Sequence, residues 1–168
     1  VGAGGIGALA VRYAIAMGAR VAVVGRSRRG EDRAKEMGAE LFVAGAETDP
    51  AVALKEWEGG ADVMVNAAPS TAAGNAAVAG LAPGGTLVFC GYDSGPITVP
   101  SQAVVLNRLR VMGSPSGSPH DLRDTLAFSA QHGILPEITP IDLDDAPAAV
   151  DGLATGSRTH GRSVIAFD

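Results

Sequence analysis

The chain has 168 residues, 46% hydrophobic and 18% charged, enough to bury the core of about one domain. Its net charge of −5, with no basic run longer than residues 26–29, gives no footing for nucleic acid. The single cysteine, Cys90, excludes an internal disulfide and a cysteine-rich zinc site within these residues. With no signal peptide and no apolar run near the roughly 20 residues of a membrane span, a soluble cytoplasmic protein is expected.

The chain opens on Val1-Gly2-Ala3-Gly4-Gly5-Ile6-Gly7, a glycine-rich turn. Ile6, Leu9, Ala10, Tyr13, Ala14 and Met17 then recur at helical spacing, and Gly18 stands where a helix stops. The glycines have separate tasks in a dinucleotide turn. Gly2 allows a tight exit from a strand, Gly4 lets the backbone approach a pyrophosphate, and Gly7 lets the helix pack closely on the sheet. The first-turn N–H groups and the helix dipole then face the phosphates. A strand over 20–24 follows, where the second strand of a βαβ unit belongs. The sequence starts without Met, at what reads as the last residue of the strand feeding the turn. These residues are therefore expected to be the C-terminal portion of a longer polypeptide, with that central first strand truncated.

A basic loop over 25–29 leads to a short helix over 31–37, ended by Gly38, and a strand over 41–43. Asp49-Pro50 opens a helix to Trp57, and Gly59-Gly60 breaks it before a buried-type strand over 62–66. An Ala-rich helix is expected over 72–81, stopped by Pro83-Gly84-Gly85, with the next strand over 86–90. A short helix over 102–107 and a strand over 109–112 follow. Ser118-Pro119 with Asp121 reads as a capped helix start, running to His132 and stopping at Gly133. The tail gives a strand over 138–141, a helix over 145–153 and a strand over 162–167. Strands alternating with helices through short Gly/Pro joints predict a doubly wound parallel sheet of Rossmann type, with helices on both faces.

The residues after the second strand bear on cofactor choice. A site for NAD places an acidic residue there to hold the ribose hydroxyls. Here Gly25 leaves room instead, Arg26 offers a planar fork to a 2′-phosphate, Ser27 adds a donor, and Arg28 extends the basic loop. The expectation is NADP; the plainer alternative is a solvated basic loop.

The turn Gly2-Ala3-Gly4-Gly5-Ile6-Gly7, the run Ala16-Met17-Gly18-Ala19, and Arg26-Ser27 ahead of Ala34-Lys35-Glu36-Met37-Gly38-Ala39 resemble the medium-chain dehydrogenase/reductase superfamily. They look most like its zinc-type, cinnamyl-alcohol-dehydrogenase-like branch. The runs from Leu81 to Val88 and from Gly161 to Val164 match as well. The resemblance spans essentially the whole chain and corresponds to the C-terminal half of such enzymes. It implies a cofactor-binding domain over 1–135 and a segment over 136–168 that returns to a catalytic domain. It also implies hydride transfer between a nicotinamide and an alcohol or aldehyde, with a zinc that polarises the substrate oxygen. The zinc ligands would lie in the N-terminal domain, so this chain is expected to hold no metal ligand and no catalytic residue.

By position, Gly4, Gly5 and Ile6 would meet the pyrophosphate, and Arg26 and Ser27 the 2′-phosphate. The main chain at Asn66, Ala67 and Ala68 would face the riboses. The backbone at Cys90-Gly91 and Gly113-Ser114 would meet the nicotinamide carboxamide. Asn66 has an equal second reading, a strand-end residue capping its own turn. The alternatives to this function are a zinc-free quinone or enoyl reductase of the same superfamily, and a non-catalytic dinucleotide-binding module.

Other residues invite chemistry without supporting it. Cys90 at the end of an apolar strand reads as an inert thiol, and His120, His132 and His160 lack metal-ligand spacing. Neither Tyr13 nor Tyr92 has a Lys four residues on, which excludes the short-chain dehydrogenase arrangement. Val104-Val105-Leu106 and Val111-Met112 read either as core or as the sheet edge through which such enzymes form homodimers or homotetramers.

Overall fold

The computed structural model describes residues 1–155 and 161–167. Helix α1 (Gly5–Ala16) ends on Met17, and Gly18 at φ +84° turns the chain out of it, as a left-handed C-terminal glycine does. Strand β1 (Ala22–Gly25) pairs in parallel with β2 (Leu41–Ala44) across helix α2 (Glu31–Glu36). Helix α3 (Pro50–Glu58), capped by Asp49 accepting from Ala51 N–H at 2.8 Å, leads to β3 (Ala61–Asn66). Helix α4 (Thr71–Ala77) leads to β4 (Leu81–Phe89), and α5 (Ser101–Asn107) to β5 (Arg110–Gly113). The order β3-β4-β5 is parallel throughout. Helix α6 (Pro119–His132), strand β6 (Ile138–Ile141), helix α7 (Ala146–Ala154) and strand β7 (Arg162–Ile165) complete the described chain, with β6 and β7 a parallel pair of their own.

Adjacent residues of β1 show that helices cover both faces. Val24 joins a core with Val43, Leu54, Met64, Leu81 and Leu87, on the side of α3 and α4. Val23 joins a second core with Val11 of α1 and Ala34 of α2. That is the two-residue alternation of a strand buried on each side. The sequence reading of a doubly wound parallel α/β sheet holds.

One element begins elsewhere than expected. Leu81 does not close the Ala-rich helix. A single 3₁₀ turn over Val78–Gly80 ends it, and Leu81, 1% exposed, opens β4 by pairing with Ala61. Pro83-Gly84-Gly85 therefore lie inside the strand as an irregularity, where the register shifts between Ala61 and Val63 and Gly84 takes φ +82°. Turn residues signal a helix stop, but burial of Leu81 starts the strand five residues earlier than residue 86.

Val1 and Gly2 lie between the two half-sheets. Gly2 N–H donates to Val24 O at 2.8 Å, Val1 N donates to Val65 O at 2.6 Å, and Ala67 N–H donates to Val1 O at 2.9 Å. They take the place expected for the end of the strand feeding the glycine turn. Behind them β1 and β3 face each other across a slot of about 540 Å³ lined by Val21, Val23, Leu54, Met64 and Val65. At its far end Arg20 bridges Glu40 and Glu58 and lies over the Trp57 ring, 5.2 Å from its centroid.

The later elements dock on α1 and α2. Arg12 Nη1 donates to Leu135 O at 2.7 Å, the Tyr13 and Ser129 hydroxyls meet at 2.6 Å, and Arg33 pairs with Glu137 at 2.8 Å. No helix among the described residues is long and apolar enough to cross a membrane.

Candidate cofactor site

Three loops meet at the carboxyl edge of the sheet, and glycine is required where they touch. Gly2 has φ +84°, and a Cβ on it would sit 2.9 Å from Ala68 N. A Cβ on Gly91 would run into the Ala68 carbonyl. A Cβ on Gly7 would run into the Gly2 carbonyl oxygen, so α1 approaches the turn as closely as a backbone can. The turns at Gly2, Ala68 and Gly91 therefore form one contiguous floor.

The first turn of α1 opens onto that floor. Gly4 is the N-cap, has no side chain to cap the helix, and has open space where a Cβ would stand. Backbone bonding starts only at Ala8 N–H to Gly4 O, 2.8 Å. The N–H groups of Gly5, Ile6 and Gly7 precede that bond, and Ile6 is 51% exposed beside them. Such a terminus, with its dipole, suits an anion.

Arg162, on β7, brings a positive charge to the same place, since a Cβ on Gly5 would collide with its guanidinium. Arg33 lines the same hollow beside Gly5, donating to Ala3 O at 3.2 Å while held by Glu137. Arg162 carries no local signal of this role in the sequence: it stands far from Gly5, and no spacing rule links a tail strand to the first helix.

The end of β1 gives Gly25 a packing reason as well as an electrostatic one. A Cβ there would lie 2.6 Å from Cζ of Phe42 on β2, so an acidic side chain would require the ring to move. Of the basic residues that follow, Arg28 is paired with Glu31 at 2.9 Å and Glu47 at 2.8 Å. Lys35 and Arg28 in turn hold the Glu31 carboxyl below the usual carboxylate range. Arg26 is exposed with no side-chain partner among the described residues, and Ser27 makes no cap bond with its hydroxyl.

On the other side of the glycine turn, Asn66 is completely buried. Its Nδ2 donates to Gly91 O at 3.0 Å, Ser70 O at 3.2 Å and Ala68 O at 3.4 Å, and its Oδ1 has no partner. Its main-chain oxygen accepts from Cys90 N–H at 2.9 Å and Gly91 N–H at 2.8 Å. Ser114 N–H is likewise taken, by Phe89 O at 2.9 Å, while Gly113 is exposed with nothing within 4 Å of a Cβ position. The N–H groups of Ala67, Cys90, Gly91 and Ser114 are thus engaged within the chain.

The remaining reactive side chains lie apart. His120 pairs with Asp124 at 3.1 Å, and His132 stacks on Phe128 at 4.2 Å between centroids. His160 lies outside the described residues. Among the described residues no three of His, Cys, Asp and Glu gather into a metal-binding group. They offer no donor set for zinc, and no step through zinc is derived from them.

A parallel sheet with helices on both faces, entered through a glycine-rich turn and an uncapped first helix, defines a Rossmann-type nucleotide-binding fold. Residues 5–131 match the family model described as zinc-binding dehydrogenase, and the chain belongs to that family. It is 30% identical to an alcohol dehydrogenase of Geobacillus stearothermophilus over 98% of this chain and 48% of the relative. It is 32% identical to the NADP-dependent alcohol dehydrogenase C of Mycobacterium tuberculosis over 86% of this chain and 41% of the relative. The structure of CAD from Helicobacter pylori complexed with NADP(H) superposes with a TM-score of 0.79 at 27% identity, covering 98% of this chain and 46% of that one. The chain spans about half the length of the relatives it matches and corresponds to the cofactor-binding half of the zinc-type enzymes.

Proposed function

We propose that this chain binds NADP(H) as the cofactor half of an alcohol dehydrogenase or aldehyde reductase. The observation that carries the reading is the uncapped first turn of α1, open at Gly4, with Arg162 against Gly5 and an unpaired Arg26 at the end of β1. The pyrophosphate rests on Gly4, Gly5, Ile6 and Gly7 with Arg162 as counter-charge. The 2′-phosphate lies at Arg26 and Ser27, with Arg28 less available because two carboxylates hold it. Since Gly2 sits between β1 and β3, the nicotinamide half extends the other way, over Ala67-Ala68, Cys90-Gly91 and Gly113-Ser114.

Bound there, the nicotinamide supplies or accepts a hydride at the carbon of a small-molecule alcohol or aldehyde. The chain's own part is to fix the dinucleotide, neutralise its phosphates and exclude water beneath the ring. A zinc belonging to the whole enzyme would draw its ligands from outside the described residues. In the same reading residues 1–135 form the cofactor domain and 136–168 return to a catalytic domain. The exposed Val105, Leu106 and Met112, beside and on edge strand β5, serve as the contact of a homodimer or homotetramer.

The test is a fluorescence titration of the chain with NADPH and NADH. Arg26→Ala is expected to weaken NADPH about tenfold or more, roughly 1.4 kcal/mol, and to leave NADH within a factor of two. Arg162→Ala is expected to weaken both alike. Equal loss for both nucleotides on removing Arg26 would move the 2′-phosphate elsewhere.

A further inference from the structure

The half-satisfied carboxamide of Asn66 is the most anomalous buried polar group among the described residues. Its NH₂ group has two hydrogens and three carbonyl acceptors, while Oδ1 is sealed from solvent with no partner. Turning the amide over would set Oδ1 against those three carbonyl oxygens, so the environment fixes the orientation. An orphaned buried acceptor is costly, and an apolar side chain of similar volume would avoid it. What the carboxamide alone provides is a gathering point for Ala68 O and Ser70 O from the loop after β3 and Gly91 O from the loop after β4.

We propose that Asn66 is a positioning residue for the nicotinamide half of the dinucleotide, a role that rests on the NADP(H) reading above. Drawing those carbonyls inward sets the loops after β3 and β4 at a fixed separation. Ala68 in turn touches both Gly2 and Gly91, so the clamp also sets the loop height against the glycine turn. All of this lies on the β3–β4 side of Gly2. The Gly25–Arg26 loop that would read the adenosine phosphate lies on the β1 side, and none of Asn66's side-chain hydrogen bonds reaches it.

That asymmetry gives a test which a merely structural residue fails. Two ligands are titrated into the chain: NADPH, and adenosine 2′,5′-bisphosphate, which lacks the nicotinamide half. Asn66→Leu, which keeps volume and removes both donor and orphan, is compared with Asn66→Asp, which keeps shape and removes the donors. The expected result is NADPH weakened at least tenfold with the bisphosphate within a factor of two of the unaltered chain. Equal weakening of the two ligands, or no change in either, overturns the proposal.

A measurement on the unaltered chain covers variants that do not fold. The Asn66 side-chain amide resonances should shift on adding NADPH and stay in place with the bisphosphate; resonances that move with neither, or equally with both, overturn it. If the unaltered chain binds neither nucleotide, the cofactor reading fails and this proposal with it. If it binds both and Asn66 is indifferent, only this proposal fails.

Discussion

Gly5 and Gly7 stand two residues apart on α1, yet a methyl group at each meets a different obstacle. At Gly7 the obstacle is the Gly2 carbonyl, a backbone atom fixed by its place between the half-sheets. At Gly5 it is the end of the Arg162 side chain, which can swing away. Gly7→Ala is therefore expected to cost on the order of 1–3 kcal/mol of stability, as overpacking does, and to abolish nucleotide binding. Gly5→Ala should leave the urea midpoint nearly unchanged, within about 0.5 kcal/mol, while weakening NADPH and NADH together by displacing the guanidinium. Urea melts and titrations of the two variants check the contrast. At Gly25 too a side chain would meet a neighbour, the Phe42 ring 2.6 Å from where its Cβ would stand, so packing favours glycine there alongside any phosphate.

Helix α6 has no buried residue, so its ends weigh heavily in holding it. Ser118 and Asp121 cap it reciprocally. Ser118 N–H and hydroxyl donate to Asp121 Oδ2 at 2.6 and 2.8 Å, and Asp121 N–H donates to Ser118 Oγ at 3.3 Å. The Ser118 backbone bond, then its side chain, hold the Asp121 carboxyl below its ordinary value of 3.8. A depressed carboxylate contributes stability that is fully present above about pH 4 and is lost as pH falls through the lower folded value. Asp121→Asn should thus lower the thermal midpoint at pH 7 and make little difference near pH 2, a pair of melts that checks the sign. Ser118→Ala should cost about 1 kcal/mol at neutral pH.

This helix was also the most legible in sequence, since Ser-Pro-x-Asp at one end and Gly133 at the other act within a few residues. The start of β4 was not legible, because Leu81 answers to Ala61 across the sheet rather than to its neighbours. Arg162 beside Gly5 and the three carbonyls around Asn66 were hidden for the same reason. The chemistry of each partner is visible in its letter, but the meeting exists only after folding.

For the molecule as a whole, the slot between β1 and β3 divides the sheet into halves joined in the ladder, among the described residues, only through Val1 and Gly2. By the two-residue period set at Val24 and Val65, Ala22 and Val63 also turn their main-chain groups to the slot. Leu87, at 0% exposure, lies in a strand paired on both sides. In a polypeptide that starts at Val1, hydrogen exchange should therefore be fast at Ala22 and Val63 and slowest at Leu87. Slow exchange at all three would mean that the slot is closed in solution.

The slot also bears on how the two half-sheets could become one. Val1 bonds to Val65 and Gly2 to Val24 at one end of it, so β1 and β3 already share a two-residue splint. An extended segment lying in line with Val1 would meet the main-chain groups of both strands along the slot and join the two ladders into a single continuous sheet.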